Sequence, residues 1–85
     1  MQISFTLDSF DEYLQWQKED KKTLNKINKL IVDIRRNPFD GIGKPEALKH
    51  ELQGFWSRRI DDKNRLLYQI GENGDIVITK CKGHY

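Results

Sequence analysis

The spacing of the apolar residues changes at Pro38, and this change constrains the fold more than any other feature of the sequence. Before Pro38, residues 21–36 carry apolar side chains three and four positions apart among lysines and asparagines: Leu24, Ile27, Leu30, Ile31 and Ile34. That spacing predicts an amphipathic helix, and Asn37-Pro38 predicts its end. After Pro38, short apolar runs are separated by turn residues, which is typical of strands. The two spacings together predict an α+β fold.

The first twenty residues add a strand and another helix. The alternation over residues 1–7 predicts a half-buried strand whose apolar side carries Ile3, Phe5 and Leu7. Asp8 and Ser9 are candidate helix caps, and Ser9 and Glu12 have the spacing of a capping box. A stripe at intervals of three and four residues then predicts a helix that ends near Glu19: Phe10, Tyr13, Leu14 and Gln17. Trp16 lies off that stripe and is expected to cover a neighbouring element.

Three runs after Pro38 predict strands: 55–61, 65–70 and 76–82. The first two flank Asp62-Lys63-Asn64, a hairpin signal, and a second turn covers 72–75. Residues 38–46 are rich in glycine and proline and predict a loop, whereas 47–52 favour no single element. The expected order is β-α-α-β-β-β in one domain over 1–85. Two helices would pack on one face of a mostly antiparallel sheet, leaving its other face open to a partner.

The net charge of +2 hides an uneven distribution. Residues 1–20 carry five acids and one lysine, a net charge of −4, and residues 21–85 carry a net charge of +6. A basic surplus of this kind suits a polyanionic partner. The acids have a simpler explanation, because the helix dipole stabilises anions near a helix N-terminus.

Basic and aromatic residues concentrate in the predicted sheet. Alternation sends Arg58 and Arg59 to opposite faces, so one of them should lie on the open face. The candidate RNA-binding residues are Lys49, His50, Arg58 and Arg59. Cations that meet phosphates and rings that stack on bases suit single-stranded nucleic acid, and the candidate rings are Trp56, Tyr68 and Tyr85. The alternative is a solvated sheet face with the rings in the core, which we favour for Tyr68.

Cysteine content and hydropathy narrow the class of protein. The lone Cys81 cannot form an internal disulfide, which favours a reducing compartment, and no cysteine–histidine cluster has the spacing of a zinc site. The N-terminus lacks the apolar core of a signal peptide, and no apolar run approaches the length of a membrane span. We therefore expect a soluble cytoplasmic protein with no metal, no other cofactor and no membrane partner.

Three residues could support acid–base chemistry on RNA: Glu46, His50 and His84. Histidine is the side chain best suited to proton transfer near neutral pH. One group would take the proton of a ribose 2′-OH and another would protonate the leaving 5′ oxygen, while arginines stabilise the charge on the phosphorane. The simpler alternative is that His84-Tyr85 is a frayed chain end and Glu46 a surface acid.

A long set of residues resembles the YoeB/Txe toxins of the RelE superfamily. The matching positions include residues 43–50, Leu52, Gly54, residues 56–60, residues 65–68 and the terminal His84-Tyr85. The resemblance spans essentially the whole chain and implies the RelE-like microbial RNase fold. It also implies the toxin of a bacterial type II toxin–antitoxin pair. Such toxins are ribosome-dependent endoribonucleases that cut mRNA in the A site without metal and so stop translation.

The resemblance further implies roles for individual residues. Glu46 would be the general base acting on the 2′-OH, and His84 would be the general acid. Arg65 would stabilise the transition-state phosphate, and Tyr85 would help to orient the substrate. The positions that match RNA- or ribosome-binding residues of the family are Lys49, His50 and Arg59.

The implied partners are the ribosome with its mRNA, a cognate antitoxin of the YefM/Phd type, and operator DNA bound through the toxin–antitoxin complex. Homodimers also occur in this family. The antitoxin is expected to be a separate chain whose disordered acidic tail wraps the basic surface of the toxin.

Two positions depart from the family pattern. Asn64 stands where the family commonly has histidine, and Ala47 stands where it has the proline after the catalytic glutamate. Two other functions stay open beside the nuclease. Relatives of the ParE type keep the fold and act on DNA gyrase, and an inactive relic would bind only antitoxin or operon DNA. The presence of Glu46 and the terminal His84-Tyr85 argues against both.

Overall fold

The chain forms one five-stranded sheet and two helices. The computed structural model describes residues 1–85. The strands are β1 (Ile3–Phe5), β2 (Glu46–Ala47), β3 (Phe55–Arg59), β4 (Arg65–Ile70) and β5 (Ile76–Lys80). The helices are α1 (Leu7–Glu19) and α2 (Lys21–Arg36), and a short 3-10 turn covers His50–Leu52.

The order of the strands in the sheet is β1-β5-β4-β3-β2. The β1–β5 pair is parallel, and the other three pairs are antiparallel. The predicted α+β class and the mostly antiparallel sheet are therefore confirmed. The segment 47–52, whose structure the sequence left undecided, contains the end of the two-residue edge strand β2 and the 3-10 turn.

Helix α2 forms where its apolar spacing predicts. The Asp20 carboxylate accepts hydrogen bonds from the backbone N–H groups of Lys22 and Thr23, which satisfies two amides that have no partner within the helix. The helix ends at Arg36, before Asn37-Pro38. The predicted apolar face is confirmed, because its most buried members are Ile27, Leu30 and Ile34.

Helix α1 begins earlier than predicted. Thr6 is its N-cap, with Oγ1 accepting a hydrogen bond from the Ser9 backbone N–H at 3.2 Å. Leu7 is therefore the first helical residue and is 85% exposed, so the prediction that it belongs to a half-buried strand is wrong. The predicted cap at Asp8 or Ser9 is also wrong, because the Thr6 hydroxyl accepts the hydrogen bond of a first-turn N–H that has no partner within the helix.

The buried face of α1 also differs from the predicted stripe. Ser9 is fully buried, and its hydroxyl donates to the Ile78 carbonyl oxygen at 2.7 Å. Because serine is small, α1 can approach β5 closely along the side that carries Ser9 and Trp16. Phe10 and Leu14 stay partly exposed, and the Phe10 ring packs edge-on at 6.1 Å from that of Phe5. Trp16, off the predicted stripe, is buried and covers the start of the C-terminal residues, as expected.

The core lies between the helices and one face of the sheet. A single buried cluster is formed by Trp16, Ile27, Leu30, Ile34, Ile60, Leu66, Tyr68, Ile76, Ile78 and Cys81. Tyr68 is fully buried, which confirms the core position favoured for it. The strand register places Trp56 beside Tyr68 on this same face, where its ring packs at 5.1 Å from that of Phe39. Neither helix is long and apolar enough to cross a bilayer.

The residues after β5 (81–85, the C-terminal tail) are fastened to α1. The Trp16 indole N–H donates to the Cys81 carbonyl oxygen, and the Cys81 N–H donates to the Glu12 carboxylate, both at 2.8 Å. The Lys82 ammonium forms an ion pair with Glu19 at 2.7 Å. These bonds fix where the tail starts and direct the last residues of the chain toward the open side of the sheet.

Candidate active site on the open face of the sheet

The edge strand β2 places Glu46 on the face of the sheet that the helices leave open. Glu46 lies directly opposite Ser57 of β3, and opposed residues of antiparallel strands project on the same face. The Glu46 side chain is exposed and makes no hydrogen bond or ion pair within the chain. Its carboxylate is therefore available to a ligand.

The end of the chain reaches the same place. The hydroxyl groups of Ser57 and Tyr85 lie 3.3 Å apart, within hydrogen-bond distance. Ser57 is only 3% exposed although it projects from the open face. Ser57 is thus the strand partner of Glu46 and lies within hydrogen-bond distance of Tyr85, two predicted site residues 39 positions apart in sequence.

Two arginines lie side by side along the same face. Arg59 and Arg65 are directly paired across β3 and β4, and neither forms an ion pair with a carboxylate. Like charges directly opposite each other destabilise a sheet. A bound anion would offset the repulsion between these two arginines. The Nη1 group of Arg65 donates to the carbonyl oxygens of Asp61 and Asn64, at 2.6 and 3.1 Å, which holds one end of the guanidinium near the hairpin turn.

The C-terminal tail joins this arginine pair through Gly83. The Arg65 backbone N–H donates to the Gly83 carbonyl oxygen at 2.8 Å, and the Gly83 N–H donates to Asn64 Oδ1 at 2.7 Å. Gly83 has a φ of +80°, a left-handed conformation that glycine adopts without strain. This turn presents exposed His84 next to Tyr85, with His84 Nδ1 3.5 Å from the Tyr85 carbonyl oxygen.

Lys49 and His50 follow the edge strand and are both exposed. The Leu48 backbone N–H donates to the Phe55 carbonyl oxygen, which extends the pairing with β3 by one bond beyond β2. His50 has a positive φ of 58° and opens the 3-10 turn. These two candidate RNA-binding residues therefore lie at the end of the strand that carries Glu46.

Arg58 contradicts its predicted role in binding RNA. Its side chain is fully buried, and all five of its N–H groups donate to protein acceptors. These acceptors are the Tyr68 hydroxyl, the Asp33 carboxylate and the carbonyl oxygens of Asn37, Asp40 and Ile42. Alternation sends Arg58 to the helix side and Arg59 to the open face, so only Arg59 can meet a nucleic acid.

The aromatic residues divide in the same way. Trp56 and Tyr68 lie on the buried face, and Tyr85 alone of the three candidate rings lies on the open one. The expectation that Trp56 stacks on bases is therefore wrong, since its register with Tyr68 turns it toward the core.

Two contributions to the site were not predicted from the sequence. One is Ser57 beneath Tyr85, and the other is the hydrogen bond from Gly83 to the side chain of Asn64. Alternation along β3 could have placed Ser57 on the Arg59 face, but the partner of Asn64 depends on the path of the tail. No group of three or more histidine, cysteine, aspartate or glutamate side chains could hold a metal ion.

Comparison with known proteins identifies the family. Residues 5–85 match the family model described as the YoeB-like toxin of bacterial type II toxin–antitoxin systems. The chain is 49% identical to the toxin YoeB of Escherichia coli K12 over 85 residues, with both chains covered completely. It is 53% identical to the toxin YoeB of a Synechocystis strain, over all of this chain and 98% of that one.

Solved structures give the same result. The YoeB/ParE toxin of Agrobacterium tumefaciens superposes with a TM-score of 0.96 at 42% identity, and both chains are covered completely. The toxin in the heterotetrameric YoeB–YefM toxin–antitoxin complex of Staphylococcus aureus superposes with a TM-score of 0.90 at 45% identity, over all of this chain and 98% of that one. The chain therefore belongs to the family of YoeB-like toxins of bacterial type II toxin–antitoxin systems.

Proposed function

We propose that this toxin is a ribosome-dependent endoribonuclease that cuts mRNA in the A site and so inhibits translation. The observation that carries the proposal is that Ser57 is the strand partner of Glu46 and also lies 3.3 Å from the Tyr85 hydroxyl, which puts both residues next to Ser57 on one open, basic face. A carboxylate, a histidine and two arginines without carboxylate partners can supply the base, the acid and the positive charge that metal-independent RNA cleavage needs.

The reaction needs two proton transfers, one from the attacking 2′-OH and one to the leaving 5′ oxygen. The Glu46 carboxylate takes the proton of the ribose 2′-OH, and the 2′ oxygen attacks the adjacent phosphorus. His84 donates a proton to the 5′ oxygen as its bond to phosphorus breaks. The products are a 2′,3′-cyclic phosphate and a free 5′-OH.

Arg65 and Tyr85 act on the phosphate group that the 2′ oxygen attacks. Arg65 stabilises the negative charge that builds on the phosphorane oxygens, because its guanidinium has no carboxylate partner within the chain. The Tyr85 hydroxyl, close to Ser57, orients the nucleotide. Arg59 adds a second cation beside Arg65.

The RNA and the ribosome are contacted by the exposed residues around these groups: Lys49, His50 and Arg59. The face is open and not a deep cleft, so the protein alone holds a flexible mRNA poorly. A ribosome presents the message in a fixed geometry, and such positioning supplies a large part of the rate acceleration in enzymes.

The proposed protein partner is an antitoxin of the YefM/Phd type, as in the Staphylococcus aureus complex of YoeB with YefM. An acidic, disordered antitoxin segment would find unpaired cations at Lys49, Arg59 and Arg65. The toxin–antitoxin complex would also bind operator DNA. The homodimer known for the relative from Staphylococcus aureus is proposed for this chain too, as is a cytoplasmic location.

The experiment is a purified translation reaction in which mRNA cleavage is mapped by primer extension. The unsubstituted protein should cut within the A-site codon only when ribosomes are present. Glu46→Gln and His84→Gln should each lower the cleavage rate by about a hundredfold or more. Glu72→Gln is the matched control, because Glu72 is exposed in the β4–β5 turn and makes no side-chain bond.

Circular dichroism should show the same thermal unfolding for all four proteins. Cleavage that continues undiminished in both the Glu46 and His84 variants would overturn the mechanism. Inhibition of DNA supercoiling by gyrase without any mRNA cleavage would favour the ParE-type function instead, and the absence of both activities would favour an inactive relic.

A further inference from the structure

Gly83 is held through both of its backbone polar groups by two consecutive residues, Asn64 in the hairpin turn and Arg65 at the start of β4. Its N–H donates to Asn64 Oδ1 at 2.7 Å, and its carbonyl oxygen accepts from the Arg65 N–H at 2.8 Å. The second bond is an ordinary backbone bond that any residue at position 65 except proline could make. The first depends on the side chain at position 64.

The amide of Asn64 is oriented by Asp61 in the β3–β4 hairpin turn. Asn64 Nδ2 donates to both carboxylate oxygens of Asp61, at 3.1 and 3.0 Å. A carboxylate only accepts and a backbone N–H only donates, so the opposite orientation of the amide would lose its bonds to both Asp61 and Gly83.

Asp61 is itself held rigidly by the turn. Its Oδ1 accepts from the backbone N–H groups of Lys63 and Asn64, at 2.8 and 2.7 Å. Partial burial acts to raise the pKa of Asp61, but the hydrogen bonds from the Asn64 side chain and the turn amides lower it overall. The carboxylate therefore stays ionised at neutral pH and keeps its acceptors available to Asn64.

The tail is fixed on the other side of Gly83 as well. Cys81 is bonded to Trp16 and Glu12, and the Lys82 ammonium is bonded to Glu19 and Gln15. Gly83 is thus the last residue of the chain with a hydrogen-bonded backbone amide, and only His84 and Tyr85 extend beyond it. A shift of Gly83 would move both terminal side chains together.

We propose that Asn64 is a positioning residue: with Asp61 it holds the Gly83 amide and so sets where His84 and Tyr85 stand over the open face. The asparagine that departs from the family pattern therefore has a role of its own in this chain. The effect on cleavage rests on the proposed function of the two terminal residues, whereas the effect on the Gly83 amide does not.

The test compares three variants with the unsubstituted protein. Asn64→Ala removes the acceptor for the Gly83 N–H. The double variant Asp61→Asn/Asn64→Asp exchanges the two side chains. It keeps the acceptor for the Gly83 N–H and one of the two bonds between the side chains, since Nδ2 of an asparagine at 61 can donate to an aspartate at 64. Asn73→Ala is the matched control, because Asn73 lies in the β4–β5 turn and its side chain makes no hydrogen bond.

Two readouts are measured for each protein. Hydrogen exchange by NMR reports the protection of the Gly83 amide, and ribosome-dependent cleavage gives kcat and KM separately. Asn64→Ala should lose the protection of Gly83 and lower kcat by about ten- to a hundredfold, with KM changed less than about threefold, because misplaced groups slow chemistry more than they weaken binding. The double variant should recover much of both readouts relative to Asn64→Ala, and Asn73→Ala should change neither.

Unchanged Gly83 protection in Asn64→Ala would overturn the proposal. So would a double variant that is folded but no better than Asn64→Ala, or a loss of kcat that Asn73→Ala shares. If the unsubstituted protein does not cleave mRNA at all, the proposed function fails, and the exchange measurement alone still decides whether Asn64 holds the tail.

Discussion

The guanidinium of Arg58 donates to the Asp33 carboxylate at 2.7 Å and thereby fastens helix α2 to β3, the strand next to the edge strand β2. The same side chain holds three carbonyl oxygens of the loop that follows α2. This loop leads directly into β2, so the position of Glu46 depends on a buried arginine that has no access to substrate.

Arg58→Ala should therefore act on stability, and Arg59→Ala on function. Removing the buried guanidinium leaves several acceptors without donors, and we expect the free energy of unfolding to fall by about 3 kcal/mol. Arg59→Ala should change it by less than about 0.5 kcal/mol, because that side chain is exposed and unpaired. Urea denaturation measures both, and equal losses of stability would contradict the assignment of Arg58 to the core.

The stability of the protein should fall in acid partly through Asp33. The hydrogen bond from Arg58, followed by that from the Ile42 N–H, lowers the pKa of Asp33 from its ordinary value of 3.8. The unfolded chain then binds this proton more readily than the folded one, so stability increases with pH across that range. The contribution of Asp33 is complete above about pH 5 and is lost as the pH falls through the lowered pKa.

The measurement is the free energy of unfolding from urea titrations between about pH 5 and pH 2, compared with Asp33→Asn. The variant should show a shallower decline than the unsubstituted protein. Asp62→Asn is the control, because Asp62 is exposed in the hairpin turn and its side chain makes no hydrogen bond. An unchanged slope in Asp33→Asn would contradict the prediction.

Cys81 should not react with thiol reagents while the protein is folded. Burial, and then the nearby Glu12 carboxylate, raise the pKa of its thiol to about 12, and only the thiolate is a good nucleophile. At pH 8 we expect modification only at the rate of global unfolding, followed with a chromogenic disulfide reagent. The variant Glu72→Cys adds an exposed thiol that should react at once, and comparable reactivity of both thiols would contradict the prediction.

An extension after Tyr85 should reduce mRNA cleavage more than the same extension before Met1. Residues added after Tyr85 would crowd the site where its hydroxyl meets Ser57, so we expect a short C-terminal extension to reduce mRNA cleavage at least about tenfold without changing the thermal midpoint. The same extension placed before Met1, which is 71% exposed, should have little effect. Equal activity of the two extended proteins would exclude a direct role for the terminal residues.

Much of the fold was predictable because local patterns and tertiary packing agree. The stripe of α2 is buried as its spacing predicts, and the hairpin turn at Asp62-Lys63-Asn64 joins β3 and β4 as expected. The start of α1 was misplaced, since Thr6 and Ser9 both carry hydroxyls suited to capping, and only the close approach of α1 to β5 decides which of them is buried.

The sequence by itself determined the α+β class, the extent of α2 and the residue types needed for acid–base chemistry on RNA, because those features depend on periodicity, turn residues and composition. Only the tertiary structure decided which of two adjacent arginines faces solvent, and that Tyr85 returns to Ser57 opposite Glu46. It also decided that Asn64 holds Gly83. The physical reason is that strand register and the path of the tail are set by bonds between residues far apart in sequence, such as those that fasten Cys81 to α1.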